Sequence, residues 1–185
     1  MAMDEDAVQS LHDGWHRWGC FVTLGLVAVV GLLGLWMVRR DSAPRVGAEV
    51  GSVAFVDAEG RRHTLAEYAG KVVVVDIWAT WCPPCRTSLP EIAQLQNAAD
   101  GRYAVLPISI DDGGFKDVEP YLSRQPMPLK ALKAYVQEGR ASLEAFGPIN
   151  GIPTTIIVDA NGKLLTRWSG YYPGRAEKEL KAALK

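Results

Sequence analysis

The sequence predicts an α/β domain, in which helices flank a mixed central sheet, behind a single N-terminal transmembrane helix. The runs Lys71–Trp78 and Tyr103–Ile110 are almost wholly apolar, as expected for central strands that are covered on both faces. Helical patterns follow both runs, and strands that alternate with helices favour an α/β architecture. The uncharged segment Trp18–Val38 is long enough to cross a bilayer.

The chain divides into predicted segments, with a polar tail at 1–17, a membrane anchor at 18–38, a linker at 39–51 and the folded domain at 52–185. A helix over residues 18–38 is roughly 31 Å long at about 1.5 Å per residue, which matches the hydrocarbon core of a bilayer. The segment has no polar face, unlike a long helix of a globular domain. The acidic residues before it are untypical of a cleaved signal peptide. Cys20 is interpreted as a small apolar residue of the anchor.

The folded domain is predicted to contain two hairpins, two central strands and several helices. The turns Ala58-Glu59-Gly60 and Ala160-Asn161-Gly162 are typical of hairpins. After Pro83, apolar residues recur at spacings of three and four, which predicts a helix that Pro90 kinks. The order favours a parallel core with an antiparallel edge pair, an N-terminal hairpin extension and a helical insert. The predicted elements are a hairpin at 52–57 and 61–65, a strand at 71–78, a helix at 83–98, a strand at 103–110, a short helix at 117–124, two helical pieces within 129–146, a hairpin at 154–159 and 163–168, and a closing helix at 173–185.

Composition excludes several classes of function. The formal net charge is −1 and no basic stripe is present, so nucleic acid is not an expected partner. Cys82 and Cys85 pair naturally and leave only Cys20, which excludes a structural disulfide framework. A zinc site needs about four ligands. His63 is the one histidine within 52–185, so no metal is predicted.

Cys82-Pro83-Pro84-Cys85 directly follows the first central strand and opens the predicted helix 83–98. Thiol–disulfide exchange requires a thiolate, and a helix N-terminus favours negative charge. Cys82 is therefore the predicted nucleophile. Cys85, one helical turn later, is the predicted resolving thiol that displaces a mixed-disulfide partner. The sequence predicts a redox-active disulfide between them and no other cofactor.

Asp76 is an acidic residue in an otherwise apolar strand, six positions before Cys82. A carboxyl group buried there loses its hydration, which raises its pKa. The alternative is that Asp76 lies near the strand end and reaches solvent.

The segments Asp76–Arg86 and Gly151–Thr155 together resemble the thioredoxin fold. More narrowly, the chain is similar to the membrane-anchored thioredoxin-like thiol–disulfide oxidoreductases that include cytochrome c maturation reductases. The likeness spans roughly residues 46–185. One departure is Ser88, where relatives often carry a glutamate, so the role of such a carboxylate does not transfer to this chain.

This resemblance assigns expected roles to residues around the dithiol. Asp76 would be a buried acid that moves protons to and from Cys85. Pro153 would follow a cis peptide bond in a loop that faces the dithiol. The backbone of Ile152 would pair with an extended substrate segment, a sequence-tolerant mode of binding. Trp81 would offer an apolar contact surface to a partner.

The resemblance also implies a place in the cell and a set of partners. Residues 18–38 would cross the bacterial inner membrane once, with the catalytic domain in the periplasm. Expected partners are protein thiols or disulfides, such as cytochrome c maturation clients, and a membrane thiol-reductase or oxidase as electron partner. The charges predict the opposite orientation, because Arg39, Arg40 and Arg45 follow the anchor and only Arg17 precedes it. Large domains can translocate despite flanking charge.

Two alternative functions use the same broad fold. Peroxidases carry a Thr-x-x-Cys site, whereas here Thr80 lies only two positions before Cys82. Copper-handling proteins use Cys-x-x-x-Cys with a distal histidine, whereas this chain has the shorter spacing and no histidine after His63. A peroxide-consumption assay and a metal titration discriminate these alternatives from thiol–disulfide exchange.

Overall fold

The centre of the molecule is a seven-stranded mixed sheet with the strand order β2-β1-β5-β4-β3-β6-β7. The computed structural model describes residues 46–185, together with Val29 and Gly31. Strand β3 pairs in parallel with β4 and antiparallel with β6, so it lies in the interior of the sheet. The strands are β1 (Ala54–Val56), β2 (Arg62–Thr64), β3 (Val72–Trp78), β4 (Tyr103–Ser109), β5 (Tyr135–Gln137), β6 (Thr154–Val158) and β7 (Leu164–Ser169).

Within residues 46–185 the sheet is accompanied by three α-helices and three short 3₁₀ helices. Side chains from all three α-helices join one buried cluster on one face of the sheet. The other face is covered by the N-terminal residues of the domain and by 3₁₀ turns. The helices are α1 (Pro83–Asn97), α2 (Phe115–Ser123) and α3 (Arg175–Ala183), and the 3₁₀ helices are Leu65–Tyr68, Leu129–Ala131 and Arg140–Phe146.

Strand β3 is buried along its whole length. Successive side chains of a strand point to opposite faces of the sheet. Val74 and Trp78 belong to the cluster that contains α1, whereas Val75 lies in the cluster on the other face. Asp76 has the same parity along the strand as Val74 and Trp78, because it lies two residues from each. Its side chain is therefore on the same face of the sheet and points toward α1. This parity places a carboxyl group beneath the helix that carries the two cysteines.

The main error of the sequence prediction concerns residues 129–146, which were expected to be helical in two pieces. The structure instead has strand β5 between two 3₁₀ helices. Val136 is buried and pairs with Ser109 of β4, and Gln137 pairs with Phe55 of β1. These ladder bonds join β5 to strands far away in the chain, so tertiary pairing overrides the local helical pattern.

Helix boundaries also differ from the prediction by two residues at three places, one of which is the end of α3 at Ala183 rather than 185. Helix α2 begins at Phe115 rather than 117, and α3 begins at Arg175 rather than 173. Gly174 precedes α3 with φ +73°, a left-handed conformation that glycine adopts without strain. The hairpins β1–β2 and β6–β7 and the order β3–α1–β4 agree with the prediction.

The end of the predicted linker 39–51 is part of the folded domain. The N–H of Gly47 donates to the carbonyl of Leu164 at 2.7 Å, and the N–H of Val50 donates to the carbonyl of Gly162 at 3.0 Å. The side chain of Val50 is fully buried. These contacts fix the entry of the chain against the β6–β7 hairpin.

The predicted tail 1–17, Cys20 and the predicted anchor 18–38 lie outside the described residues, apart from Val29 and Gly31. Of the helices in the described part of the chain, none combines the length and apolarity needed for a membrane crossing.

Candidate active site

Cys82 and Cys85 lie where β3 passes into α1, and they form a disulfide bond. Their Cα atoms are 5.3 Å apart. Both residues are buried, and Cys82, at 3% exposed, is the more accessible residue of the pair. The relative exposure agrees with the predicted order of attack, in which Cys82 meets the partner and Cys85 follows.

The first turn of α1 directs its one available donor at Cys82. Pro83 and Pro84 occupy the first two helical positions and have no N–H, so the first free backbone donor belongs to Cys85. That N–H donates to Cys82 Sγ at 3.2 Å, as an N-cap oxygen would accept in an ordinary helix. The next N–H, of Arg86, donates to the carbonyl of Cys82 at 3.2 Å. In the reduced protein this donor and the helix dipole favour a thiolate at Cys82.

Asp76 is fully buried, and it does not reach solvent as the alternative interpretation required. The hydroxyl of Thr155 donates to Asp76 Oδ1 at 3.0 Å. Burial raises the pKa of Asp76 to about 7, the hydrogen bond from Thr155 opposes this rise, and the negative charge of Glu91 adds to it. A group with this pKa gains and loses a proton near neutral pH, which suits acid–base chemistry.

The loop before β6 faces the dithiol. The Ile152–Pro153 peptide bond is cis. Cys82 Sγ lies 3.7 Å from the carbonyl oxygen of Ile152. Within residues 46–185 the N–H of Ile152 has no hydrogen-bond acceptor, whereas the carbonyl of Pro153 accepts from the N–H of Gly170 at 2.7 Å. The structure thus brings two predicted site residues, Ile152 and Pro153, to the sulfur of a third.

The two tryptophans near the motif have opposite environments. Trp81 is 61% exposed and adjoins Cys82 in the chain. Trp78 is fully buried, and its ring centroid lies 5.9 Å from that of Tyr121. An exposed indole next to a nearly buried sulfur provides apolar surface at the point where a partner would approach.

Asp111 fixes the loop that leads into Cys82, a role that the sequence analysis missed. Its carboxylate accepts from the N–H of Thr80 at 2.9 Å, from the hydroxyl of Thr80 at 2.7 Å and from the hydroxyl of Ser109 at 2.6 Å. Asp111 is only 4% exposed. The hydroxyl of Thr80, the residue considered for a peroxidase site, is therefore held by a carboxylate.

The sequence did contain a signal for this role. Asp111 lies two residues after the end of the buried strand β4, and Thr80 lies two residues after the end of β3. These strands are parallel, with Trp78 opposite Ser109, so their carboxyl ends meet at one edge of the sheet. Polar residues that follow two neighbouring parallel strands are thus expected to meet.

We expect Asp111→Ala to destabilise the domain by about 2–3 kcal/mol, because the buried donors of Thr80 and Ser109 lose their acceptor. Denaturant unfolding of the oxidised protein measures this change. Asp112→Ala is the matched control, since Asp112 is the adjacent exposed aspartate. Equal stabilities of the two variants would contradict the role of Asp111.

Within residues 46–185, no group of three or more histidine, cysteine, aspartate or glutamate residues is arranged to hold a metal ion. His63 lies on β2, an edge strand of the sheet. Its ring nitrogens contact the carboxylates of Asp57 and Glu67, each at 2.9 Å. These carboxylates raise the pKa of His63.

A protein-family comparison identifies the domain. The model described as Redoxin matches residues 41–184. The chain belongs to the Redoxin family. This redoxin is 30% identical over 147 residues to the thiol-disulfide oxidoreductase ResA of Geobacillus thermodenitrificans, covering 77% of this chain and 82% of that one. It is also 30% identical to the thiol:disulfide interchange protein DsbE homolog of Paracoccus denitrificans, covering 91% of this chain and 97% of that one.

Solved structures agree with this family. The redoxin matches the crystal structure of a DsbE-type thiol:disulfide interchange protein from Chlorobium tepidum with a TM-score of 0.66 and 27% identity, over 77% of this chain and 99% of that one. An exposed lipoprotein thioredoxin from Streptococcus pneumoniae matches with a TM-score of 0.60 and 26% identity, over 70% and 97% of the two chains. The fold is thus thioredoxin-like, and the protein is a thiol–disulfide oxidoreductase.

Proposed function

We propose that this chain is a membrane-tethered oxidoreductase that exchanges its Cys82–Cys85 dithiol with disulfides of exported proteins, such as clients of cytochrome c maturation. The observation that carries this proposal is the environment of Cys82 Sγ. It accepts the N–H of Cys85 at 3.2 Å and lies 3.7 Å from the carbonyl of Ile152. One sulfur thus adjoins both a group that stabilises a thiolate and a backbone on which a substrate segment can pair.

The reaction proceeds by two thiolate attacks. In the reduced protein, the Cys82 thiolate attacks a substrate disulfide, and a Cys82–substrate mixed disulfide forms as one substrate thiolate leaves. The Cys85 thiol then transfers its proton to the Asp76 carboxylate and attacks Cys82 Sγ, which releases the second substrate thiolate. The protein loses two electrons and the substrate disulfide gains them. Oxidation of a substrate dithiol follows the reverse sequence.

Substrate binding relies on backbone pairing and one aromatic side chain. The N–H of Ile152 has no acceptor among residues 46–185, so it is available to an extended substrate strand. Trp81 is exposed next to the sulfur and adds apolar contact. Main-chain recognition tolerates many sequences, which suits an enzyme that acts on several client proteins.

Membrane tethering through residues 18–38 would concentrate the dithiol near membrane-bound clients and near a membrane thiol-reductase or oxidase that supplies or removes electrons. The uncharged composition of the segment supports this part of the proposal. The likeness to the Paracoccus protein covers 91% of the chain and so reaches into residues 18–38. We propose a bacterial inner-membrane protein with its catalytic domain in the periplasm.

Alkylation and insulin reduction test the exchange chemistry. In the reduced full-length protein, Cys82 should react with iodoacetamide at neutral pH faster than an ordinary surface thiol, because the N–H of Cys85 and the helix dipole favour its thiolate. The protein should also cleave insulin disulfides in the presence of dithiothreitol. Slow alkylation together with intact insulin would overturn the proposal.

Topology is tested with a membrane-impermeant maleimide on cells expressing the Cys20→Ser variant, in which only the dithiol can react. We expect labelling of the reduced dithiol in intact spheroplasts and recovery of the chain with the membrane fraction. Labelling only after lysis would place the domain in the cytoplasm, as the flanking arginines predict.

The redox potential assigns the direction of electron flow. Equilibration of the full-length protein with glutathione buffers, followed by alkylation, measures the fraction of dithiol. A potential below the glutathione poise makes the protein a reductant of its clients, and one near the strong oxidants makes it an oxidant.

A further inference from the structure

A small cavity of about 10 Å³ lies behind the dithiol, between α1, the loop that contains Pro153 and the loop between β7 and α3. A space of this size accommodates about one water molecule when its walls are polar. The walls include the side chains of two groups that can carry protons, Glu91 and Tyr171, and two hydroxyl side chains, Ser88 and Thr155.

Glu91 lines this cavity, and Asp76 is joined to it through the hydroxyl of Thr155. Each of these two carboxyl groups has one oxygen held by a hydrogen bond. Asp76 Oδ1 accepts from Thr155, which lines the cavity. Glu91 Oε2 accepts from the N–H of Gly174 at 3.1 Å and from the hydroxyl of Tyr171 at 3.4 Å. The binding of these oxygens fixes the orientation of both carboxyl groups.

The second oxygen of each carboxyl group is buried and has no partner within residues 46–185. These oxygens are Asp76 Oδ2 and Glu91 Oε1. Buried polar atoms in folded proteins are nearly always hydrogen-bonded, to protein or to ordered water. A water in this polar space would be a partner for the carboxyl group of Glu91 and for the hydroxyl of Thr155, which is itself hydrogen-bonded to Asp76.

The two carboxyl groups differ in their access to solvent. Asp76 is fully buried, whereas Glu91 is half-buried on α1. A proton on Asp76 therefore needs a route to bulk water, and the half-buried Glu91 shares the cavity with Thr155, the hydrogen-bond partner of Asp76.

We propose that Glu91 is a second proton-transfer residue of this enzyme, which exchanges protons between Asp76 and bulk water through the hydroxyl of Thr155 and one water molecule in the cavity. This inference rests on the proposed function, in which Asp76 accepts the proton of Cys85. Glu91 touches neither sulfur and acts through Asp76.

The transfer balances in protons and leaves the electron count of the exchange reaction unchanged. Before resolution, a protonated Asp76 releases its proton to the hydroxyl oxygen of Thr155 as that hydroxyl releases its own proton to the cavity water, and the water releases a proton to the Glu91 carboxylate. Glu91 then loses the proton to bulk solvent. The Asp76 carboxylate so produced removes the proton from Cys85, and the Cys85 thiolate attacks Cys82 Sγ.

Electrostatics agrees with this coupling. The negative charge of Glu91 adds to the rise that burial causes in the pKa of Asp76, so the charge on residue 91 affects the protonation of Asp76. At neutral pH, Asp76 is therefore protonated in a substantial fraction of molecules, and those molecules need a route for the proton before they can resolve a mixed disulfide.

A pH-jump experiment with Glu91→Gln tests the proposal. Glutamine can still accept from Gly174 and Tyr171 but cannot carry the proton. Reduced full-length protein is held at about pH 5 or about pH 8.5, on either side of the Asp76 pKa of about 7, and is then mixed with excess 5,5′-dithiobis(2-nitrobenzoate) at about pH 8.5. The first thionitrobenzoate released reports attack by Cys82, and the second reports resolution by Cys85.

We expect the second release from Glu91→Gln to be slower after storage at the lower pH than after storage at the higher pH. A group that transfers protons at the reacting atom contributes about 10²–10⁴-fold, and one that acts through a water contributes less, so we expect a difference of at least about threefold. Wild-type protein should show no such dependence on its storage pH. A purely structural defect would slow both samples of the variant equally.

Two further variants complete the test. Glu119→Gln removes an exposed glutamate of α2 and should behave as wild type. In Asp76→Asn/Glu91→Gln the effect of storage pH should disappear, because no proton remains on residue 76 to be lost. Identical second phases for the two storage pH values of Glu91→Gln would overturn the role of Glu91. Absence of a second release in wild type would instead contradict the proposed function.

Discussion

Cys82→Ser is expected to reduce insulin-disulfide exchange by at least about 10³-fold, because the variant has no nucleophile at the helix N-terminus. Cys85→Ser should instead retain the first attack and stop at the mixed disulfide, because no resolving thiol follows. A covalent complex with client proteins should therefore accumulate with Cys85→Ser and not with Cys82→Ser. Non-reducing electrophoresis of membranes from expressing cells measures this difference.

The matched control for these variants is Cys20→Ser, which removes the one other cysteine of the chain. It should exchange disulfides at the wild-type rate and form no trapped complex. If the complex accumulated with Cys82→Ser instead, the order of attack inferred from the exposure of the two sulfurs would be reversed.

Asp76→Asn is expected to slow resolution of the mixed disulfide by about 10–100-fold near pH 7, because a positioned general base is lost. The asparagine side chain has nearly the same volume and can still accept the hydrogen bond from Thr155. Rapid mixing with an aromatic disulfide separates the resolution step, which should slow, from the first attack by Cys82, which should not.

The same variant should be more stable than the wild-type protein at neutral and alkaline pH. The pKa of Asp76 is raised from 3.8 to about 7 by folding, so the folded state binds more protons than the unfolded state between these values. Wild-type stability therefore falls as the pH rises from about 4 to about 7. At about 1.4 kcal/mol per pKa unit, Asp76→Asn should raise the free energy of unfolding by about 2–4 kcal/mol at pH 8 and should leave it nearly unchanged below pH 4.

Denaturant unfolding of the oxidised proteins between about pH 4 and pH 8 measures this difference. Asp112→Asn is the control, because it makes the same chemical change at an exposed site near the same end of the sheet. A stability difference that does not grow with pH, or an unchanged resolution rate, would rule out a buried proton acceptor at position 76.

Much of this architecture could be predicted because its signals are local. The β-branched run of β3, the glycine turns of the two hairpins and the cysteines at the start of α1 each occupy a few neighbouring residues. Strand β5 could not be predicted in this way. Its three residues form a strand because they pair with β4 and β1, and such pairing depends on segments far away in the chain.

The same difference between local signals and contacts among distant segments applies to the candidate active site. The proximity of Cys82 to Cys85 could be predicted from their spacing, and the cis bond before Pro153 from a motif. Asp111 and Glu91 were missed because a carboxyl group acquires its role from burial and from donors on other segments. The donors to Asp111 come from the preceding strand and the loop after β3, and those to Glu91 come from the loop before α3.

Two consecutive prolines open α1, and the second of them, residue 84, is a position at which a substitution can change the electron affinity of the disulfide without altering either sulfur. Any residue other than proline there would supply a second N–H close to Cys82 Sγ. A hydrogen bond to a charged acceptor contributes roughly 1.5–3 kcal/mol, which corresponds to roughly 30–60 mV for a two-electron couple. By withholding that donor, Pro84 keeps the dithiol form less favoured and the protein a stronger electron donor than its helix would otherwise make it.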